Sequence, residues 1–464
     1  MKRLATLLIA CSLWLAASEG FAAPPELKGR AFTLADQAYK ALEAGQLERA
    51  MDFALRALEL APGHAGLLLL QADILERQDK PRDAVFRISH LTPAELGSVG
   101  LAQRGYLWLK LENAAAAEAD FAAAIDAGGL DAAARANLAS ELAYLALARK
   151  DDAAALKWFR IALEQKSSAA LYADAGYAAS RLAQNGVAVE MFSKAVDEWH
   201  AAPADKKPFD DTTLYGMRRS IDTLSRRWGG SLSIGHGMQA SGLATSGDVR
   251  VVQAGAEVFY TPERFGYRDE RIFQLYANAF RGLSASDDSF ATGKDSQVAS
   301  VGARYKPLRK YDLVLALERR FAIGEQAGED DWLARIGFST SRETDWSPTK
   351  DSWTTWQLYT ETAYFVEAHR LIQPFEARVG RSWKTPRWYG AVLTPYLGVG
   401  GEYDDALDPK LAAGIGPGVA ARYWFGESRY RAFSNYVDLS VQYRFRLTDA
   451  KRGGGLFATL MVSF

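Results

Sequence analysis

The sequence predicts a two-part α + β chain: an N-terminal α-solenoid of helical repeats followed by a transmembrane antiparallel β-barrel of about twelve strands. Three observations carry this. Alanine dominates up to about residue 200, whereas Tyr, Trp, Phe, Gly and Arg dominate after about residue 228. Residues 31–195 repeat with a period of about 34. The last segment places Leu456, Ala458, Leu460, Val462 and Phe464 on one face of a strand, because side chains alternate with period two.

The chain has 464 residues, enough for two or three domains. Its 55 Lys and Arg balance 56 Asp and Glu, so no bulk charge points to a nucleic-acid partner. Residues 1–22 read as a secretory signal. Lys2 and Arg3 precede an apolar Leu4–Ala17 core, and Gly20-Phe21-Ala22 forms a small-x-small cleavage site. Leu8-Ile9-Ala10-Cys11 is the alternative, a lipoprotein-type box that would acylate Cys11. Cys11 is the only cysteine, so a processed chain has neither disulfides nor thiol chemistry. No other run approaches the roughly 18 apolar residues of a spanning helix, so any membrane crossing is made by a barrel.

Residues 31–200 form the predicted array of about five repeats. Each repeat has a small residue on its first helix, then an alanine, a bulky residue and a further small or apolar one on its second. The sets begin with Ala38, Ala50, Ala54 and Ala57, then Ala72, Ala84, Ile88 and Leu91. Gly105, Ala117, Phe121 and Ala124 follow, then Ala143, Ala155, Phe159 and Ala162, and lastly Gly176, Ala188, Phe192 and Ala195. Small residues let paired helices approach, and the bulky one fills the groove between neighbouring pairs. Pro62 and Pro93 end helices. The competing reading is a generic Ala-rich bundle. The pattern resembles the tetratricopeptide repeat (TPR) family, which implies a concave surface that docks a protein partner. His64 and His90 each stand alone and read as packing or surface residues, not metal ligands.

Residues 201–227 form a linker. Ala202-Pro203 and Lys206-Lys207-Pro208 break helices, and Phe209-Asp210-Asp211-Thr212 begins a new one. Arg218, Arg219, Arg226 and Arg227 lie on that basic helix. It is either a solvated helix packed on the array through Leu214, Ile221 and Leu224, or one that brings its arginines to the barrel mouth and lipid phosphates.

Residues 228–464 divide into about twelve segments of roughly 9 to 15 residues, lengths that suit tilted membrane strands; merged segments would raise the count to as many as sixteen. Val252, Ala254, Ala256, Val258 and Tyr260 oppose Gln253, Gly255 and Glu257. Leu313, Leu315, Leu317, Phe321 and Ile323 oppose Glu318 and Arg320, with Arg319 interrupting the apolar row. Val441, Tyr443, Phe445 and Leu447 oppose Gln442, Arg444 and Arg446. Trp332, Trp346, Trp353, Trp356, Trp383, Trp388 and Tyr389 sit near segment ends, as in aromatic girdles. An even count returns Phe464 to the side from which the barrel starts. With the array in the periplasm, the Asp-, Gly- and Ser-rich loops at 283–296, 324–331 and 404–410 then face outward.

On this phase Arg304, Arg320, Arg335, Arg378, Arg422, Arg444 and Arg446 line the lumen with Glu257, Glu318, Glu361, Glu376 and Glu402. Two readings stand: the charges pair across strands and fill the barrel, or they form an arginine-biased path for a hydrophilic or anionic polymer. Tyr396 and Trp424 share that face and offer stacking surfaces for sugar rings. Five histidines at no metal spacing, and no nucleophile–base pair, point to no enzyme, metal or cofactor. Gly414-Ile415-Gly416-Pro417-Gly418 fails as a phosphate loop because it contains proline and precedes a strand; its glycines read as space in the barrel wall.

Gly416-Pro417-Gly418, Arg422-Tyr423-Trp424-Phe425-Gly426-Glu427-Ser428-Arg429-Tyr430 and Tyr436-Val437-Asp438-Leu439-Ser440-Val441-Gln442-Tyr443-Arg444 resemble the C-terminal domain family of bacteriophage N4 adsorption protein A (NfrA), as does Arg226-Arg227-Trp228-Gly229. The resemblance implies an outer-membrane barrel behind periplasmic TPR repeats. It further implies exopolysaccharide export with a periplasmic or inner-membrane partner such as a glycosyltransferase, and a role in phage attachment. The expected function is therefore an exopolysaccharide export porin whose contacts are lipid, that partner and the polysaccharide chain. The alternative is a surface receptor or scaffold with a non-conducting barrel.

Overall fold

The computed structural model describes residues 26–237, 250–287 and 290–464; the signal segment and Cys11 lie outside the described residues. The chain forms two compact units, Met1–Lys166 and Ser167–Phe464.

The first unit contains four helical hairpins: α1 (Gly29–Glu43) with α2 (Leu47–Leu60), α3 (Ala65–Arg77) with α4 (Pro81–Ile88), α5 (Pro93–Lys110) with α6 (Ala114–Ala127), and α7 (Ala132–Ala148) with α8 (Asp152–Leu163). The small and bulky positions read from the repeat form its core: Ala38, Ala54, Ala72, Ile88, Ala117, Phe121, Ala143 and Phe159 are all 0 % exposed. Gly105 shows why a small residue is required, since a Cβ there would lie 2.4 Å from the Phe121 ring. Arg104 donates two bonds of 2.7 Å to the Asp120 carboxylate, which ties α5 to α6. Pro93 occupies the first turn of α5. Thr92 and Glu95 cap that turn reciprocally, each side chain accepting from the other's backbone N–H.

The second unit begins with the fifth hairpin, α9 (Ala169–Arg181) and α10 (Asn185–Ala201), where Gly176 faces Phe192 as Gly105 faces Phe121. Helix α11 (Asp211–Ser225), N-capped by Asp210, leads into the sheet. The strands are β1 (Trp228–His236), β2 (Val251–Tyr260), a two-residue β3 (Tyr267–Arg268), β4 (Arg271–Ala285), β5 (Val298–Lys306), β6 (Asp312–Ala322), β7 (Asp331–Arg342), β8 (Ser352–Phe365), β9 (Arg370–Lys384), β10 (Ala391–Asp404), β11 (Leu411–Phe425), β12 (Asn435–Arg446) and β13 (Gly455–Ser463). Each long strand pairs antiparallel with the next. β2 pairs with β4 beyond the short β3, and β1 pairs with β13, so twelve long strands close into a barrel. The seam is completed by Phe464 and Gly230, whose backbone groups exchange bonds of 2.8 and 3.0 Å.

The period-two faces are inverted relative to a soluble sheet. Glu318, Gln442 and Asp404 point inward and are 1 %, 2 % and 0 % exposed, while Leu317, Ile336 and Leu397 point outward and are 52 %, 54 % and 52 % exposed. That suits a barrel set in hydrocarbon around a polar bore. Arg319, which breaks the apolar row of β6, lies beside the outward Trp332 ring at 5.6 Å and pairs with Glu367. Among the described residues no helix is long and apolar enough to cross a membrane.

Candidate functional site: the bore and its near end

The ends of the barrel are named here by the chain: β1 starts at the near end, which also holds the turns 261–270, 307–311, 343–351, 385–390 and 426–434. The inward residues fall into three zones along the bore.

In the middle, arginines and carboxylates pair. Arg304 donates to Glu257 at 2.8 Å and to Gln274 at 2.7 Å. Glu318 accepts from Arg335 and, at 3.3 Å, from Asn278. Arg378 bonds Glu376 and reaches Ser440 at 3.3 Å, and Arg444 donates to Gln442 at 2.7 Å and to Glu376 at 3.5 Å. Arg422 donates to Asp438 at 2.7 Å. Arg320 sits toward the far end, where it donates to the carbonyls of Ala327 and Glu329. Arg446 is exposed at the far rim and has no place in this network. The arginine bias along the strands is thus offset by Gln442, on the face alternation gave it, and by Asn278, Asp438 and Ser440, which the sequence analysis did not single out. Asp438 and Ser440 share the parity of Arg444, so the alternation itself contained that signal.

On the β9–β12 wall the long side chains lie flat because glycines make room. A Cβ on Gly400 would meet the Arg444 guanidinium at 2.7 Å, one on Gly418 the Tyr396 ring at 2.5 Å, and one on Gly398 the Gln442 amide at 2.8 Å. Gln442 donates to the carbonyls of both Gly398 and Gly416, which holds it against the wall. On the adjoining strand β8, Tyr359 faces inward yet is 39 % exposed, so side chains do not fill the lumen there.

Tyr396 and Trp424 are not open stacking platforms. They are 7 % and 3 % exposed, with Arg378 over the first ring at 4.8 Å and Arg422 near the second at 5.3 Å. A cavity of about 90 Å³ lies beside them, bounded by Gln357, Ser382, Thr394, Arg378, Arg422 and Asp438 among others.

The near end is apolar. Trp346, Trp353, Val392, Trp424 and Phe433 form one buried cluster, with Tyr215 of α11 and Tyr436 packed on it. Trp346 and Trp353 are 6 % and 4 % exposed and belong to this interior cluster, not to the girdle expected of them; Trp332, Trp356, Trp383 and Trp388 do face outward. Trp346 lies 5.4 Å from Phe433 and 5.6 Å from Tyr389. Four strand spacings separate their turns on the rim, about 19 Å at some 4.8 Å each. For the rings to meet, the turns 343–351 and 426–434 must fold inward. Arg422 marks the same inward course by donating from β11 to the carbonyl of Thr344 at 3.3 Å.

Helix α11 packs on these turns. Arg218 donates to the carbonyls of Ser428 and Arg431 and pairs with Glu427 at 2.9 Å. Arg219 donates to the Phe433 carbonyl at 2.9 Å and to Asp345 at 3.3 Å, and the Tyr215 hydroxyl donates to the same Phe433 carbonyl. Arg226 donates to Ser434 and Asn435. Burial pushes the Tyr215 hydroxyl well above the usual tyrosine range. These arginines reach the barrel end, but the groups they hold are turn carbonyls and carboxylates, while Leu214, Ile221 and Leu224 are buried on the helix's other face. Helix α10 also touches the near-end turns: Asn185 donates to the Tyr267 carbonyl, and Asp197 accepts from Tyr430 and Arg429.

Comparison with known proteins adds a family resemblance. Residues 289–460 match the family described as bacteriophage N adsorption protein A C-term. The matched region holds the 416–446 stretch that suggested the resemblance, together with the whole aromatic cluster except Tyr215. A curated relative, the bacteriophage adsorption protein A of Escherichia coli (strain K12), is 24 % identical over 264 residues. That match covers 53 % of this chain and 26 % of the relative, so the chain spans about a quarter of that protein's length. Two solved structures share a limited likeness with the chain. One is MamA (17 % identical, TM-score 0.31, 37 % of this chain and 92 % of that chain). The other is YrrB, described as a TPR protein with an unusual peptide-binding site (22 % identical, TM-score 0.30, 36 % of this chain and 85 % of that chain).

Proposed function

We propose that this protein is an outer-membrane conduit for an exopolysaccharide, carrying a periplasmic repeat array that recruits a synthesis or export partner such as a glycosyltransferase. The observation that supports it best is the glycine-backed wall of β10 and β11, where Tyr396, Gln442 and Arg444 lie along the sheet and not across the lumen. A barrel built only as an anchor needs no such recesses; a bore that passes a hydrated chain does. Paired charges suit a neutral or weakly charged polymer, since each arginine of the bore network already has a carboxylate or carbonyl partner and a polyanion would have to displace it. The role is one of transport, without a catalytic step. Deleting the gene should leave polymer in the periplasm and strip it from the cell surface; unchanged surface polymer would overturn the proposal.

A second reading, a surface receptor with a non-conducting barrel, draws support from the ion-paired interior and from the relative's name. It expects phage adsorption to be lost on deletion while surface polymer is unaffected.

A further inference from the structure

We infer that the aromatic cluster at the near end of the bore is a hydrophobic gate and that α11 is the latch that holds it shut. This inference rests on the conduit reading and concerns the regulation of that same bore.

Three features carry it. First, the near-end cluster is the largest buried apolar group of the barrel among the described residues: Trp353, Val392, Trp424 and the inserted Trp346 and Phe433 meet there, whereas the middle of the bore carries mainly Glu, Arg, Gln and Ser and the far end the smaller Leu333, Ala363 and Phe365 group. A short apolar constriction in a polar pore stops ions by dewetting. The polar edge of Trp353 is satisfied as well, its indole N–H donating to the Glu343 carbonyl at 2.8 Å.

Second, the parts that close the constriction are not strands. Trp346 and Phe433 stand on turns, which move without breaking the ladder that keeps the barrel closed. Lys384 sits 4.8 Å from the Trp346 ring, the contact that holds that turn on the β9 side.

Third, α11 grips the Phe433 turn by its backbone. Arg218, Arg219 and Tyr215 together satisfy the carbonyls of Ser428, Arg431 and Phe433. Arg219 also reaches Asp345 beside Trp346, so one side chain touches both inserted turns. Shifting α11 therefore takes a partner from each at once. Asp222, 5 % exposed on α11, anchors the same turn through Arg431 and holds Arg226 in place at 2.9 Å.

The test is single-channel recording of the purified full chain in planar bilayers, which needs no polysaccharide. The wild type should stay almost entirely closed. Trp346→Ala/Phe433→Ala, which empties the constriction, should raise open probability on the order of tenfold or more. Arg218→Ala/Arg219→Ala, which leaves the cluster intact and cuts only the latch, should also raise it, in the form of long openings interrupted by closures. Heat-modifiable migration in SDS confirms that each barrel is closed. A wild type that already conducts freely, or cluster variants that fold and remain silent, would overturn the gate. Open cluster variants beside silent latch variants would overturn the role of α11. A confirmed gate in cells whose surface polymer is unchanged by deletion would leave this inference standing and remove the export reading.

Discussion

The helical array and the barrel solve opposite solvent problems with the same device, a face that repeats along the chain. In the array the repeating face is apolar and lies inside: Ala54, Ala117, Phe121 and Phe159 are fully buried, and charged residues such as Lys40 and Asp36 pair on the surface. In the barrel the apolar face lies outside, and the buried residues include Glu318, Arg320, Gln442 and Asp404. The difference teaches that periodicity tells where a face is, while the surrounding solvent decides which face is covered. It also separates the kinds of buried polar contact. The Arg104–Asp120 pair joins two neighbouring helices in one hairpin, but Arg444 and Glu376 are on strands three apart in the barrel.

The largest expected effect removes the array's packing without touching the barrel. Phe121→Ala empties the groove filled against Gly105 and should cost about 3–5 kcal/mol. Thermal melting followed at the helical circular-dichroism band should show it, with SDS-resistant migration of the barrel unchanged. Loss of both together would mean that the two regions fold as one.

The converse substitution charges the lipid face. Leu397, 52 % exposed near the middle of β10, should tolerate arginine badly, at about 2–4 kcal/mol if it sits at the bilayer midplane, measured by urea unfolding from lipid vesicles. Arginine at exposed Leu55 of α2 should change stability by less than about 0.5 kcal/mol, because that surface faces water. Equal costs would mean that the barrel exterior is not in hydrocarbon.

The smallest effect is one of pH. The backbone N–H of Thr92, followed by its hydroxyl, holds the Glu95 carboxyl below the usual range. A depressed folded-state value means that the contribution is fully present above the unfolded carboxylate range and disappears as pH falls through the folded value. The difference in array melting temperature between wild type and Glu95→Ala should therefore be small at neutral pH and vanish under acid. A difference that grows under acid would contradict the capping box.

Much of the site was legible because strand parity is strict. Arg304, Glu318, Arg335, Glu376, Arg378, Arg422 and Arg444 were all placed on one face from the alternation alone, and all point into the bore. Their partners were not legible. Arg378 meeting Ser440, or Tyr396 meeting it at 2.9 Å, depends on which strands become neighbours when the sheet curls, and no local pattern states that. The near-end gate was illegible for a second reason. Trp346 and Phe433 lie on turns, where side chains have no period, so their inward course follows only from the packing of α11 and the neighbouring turns.

By itself, the sequence determined the division into helical and β halves, the repeat period, the approximate number of long strands and the inward face of most of them. These depend on spacings of 34, 3.6 and 2 residues that the chain carries locally. Only the tertiary structure decided how charges pair across the bore, why glycines line β10 and β11, and what closes the near end. Those depend on distances between segments far apart in the chain, which exist only once the barrel has closed.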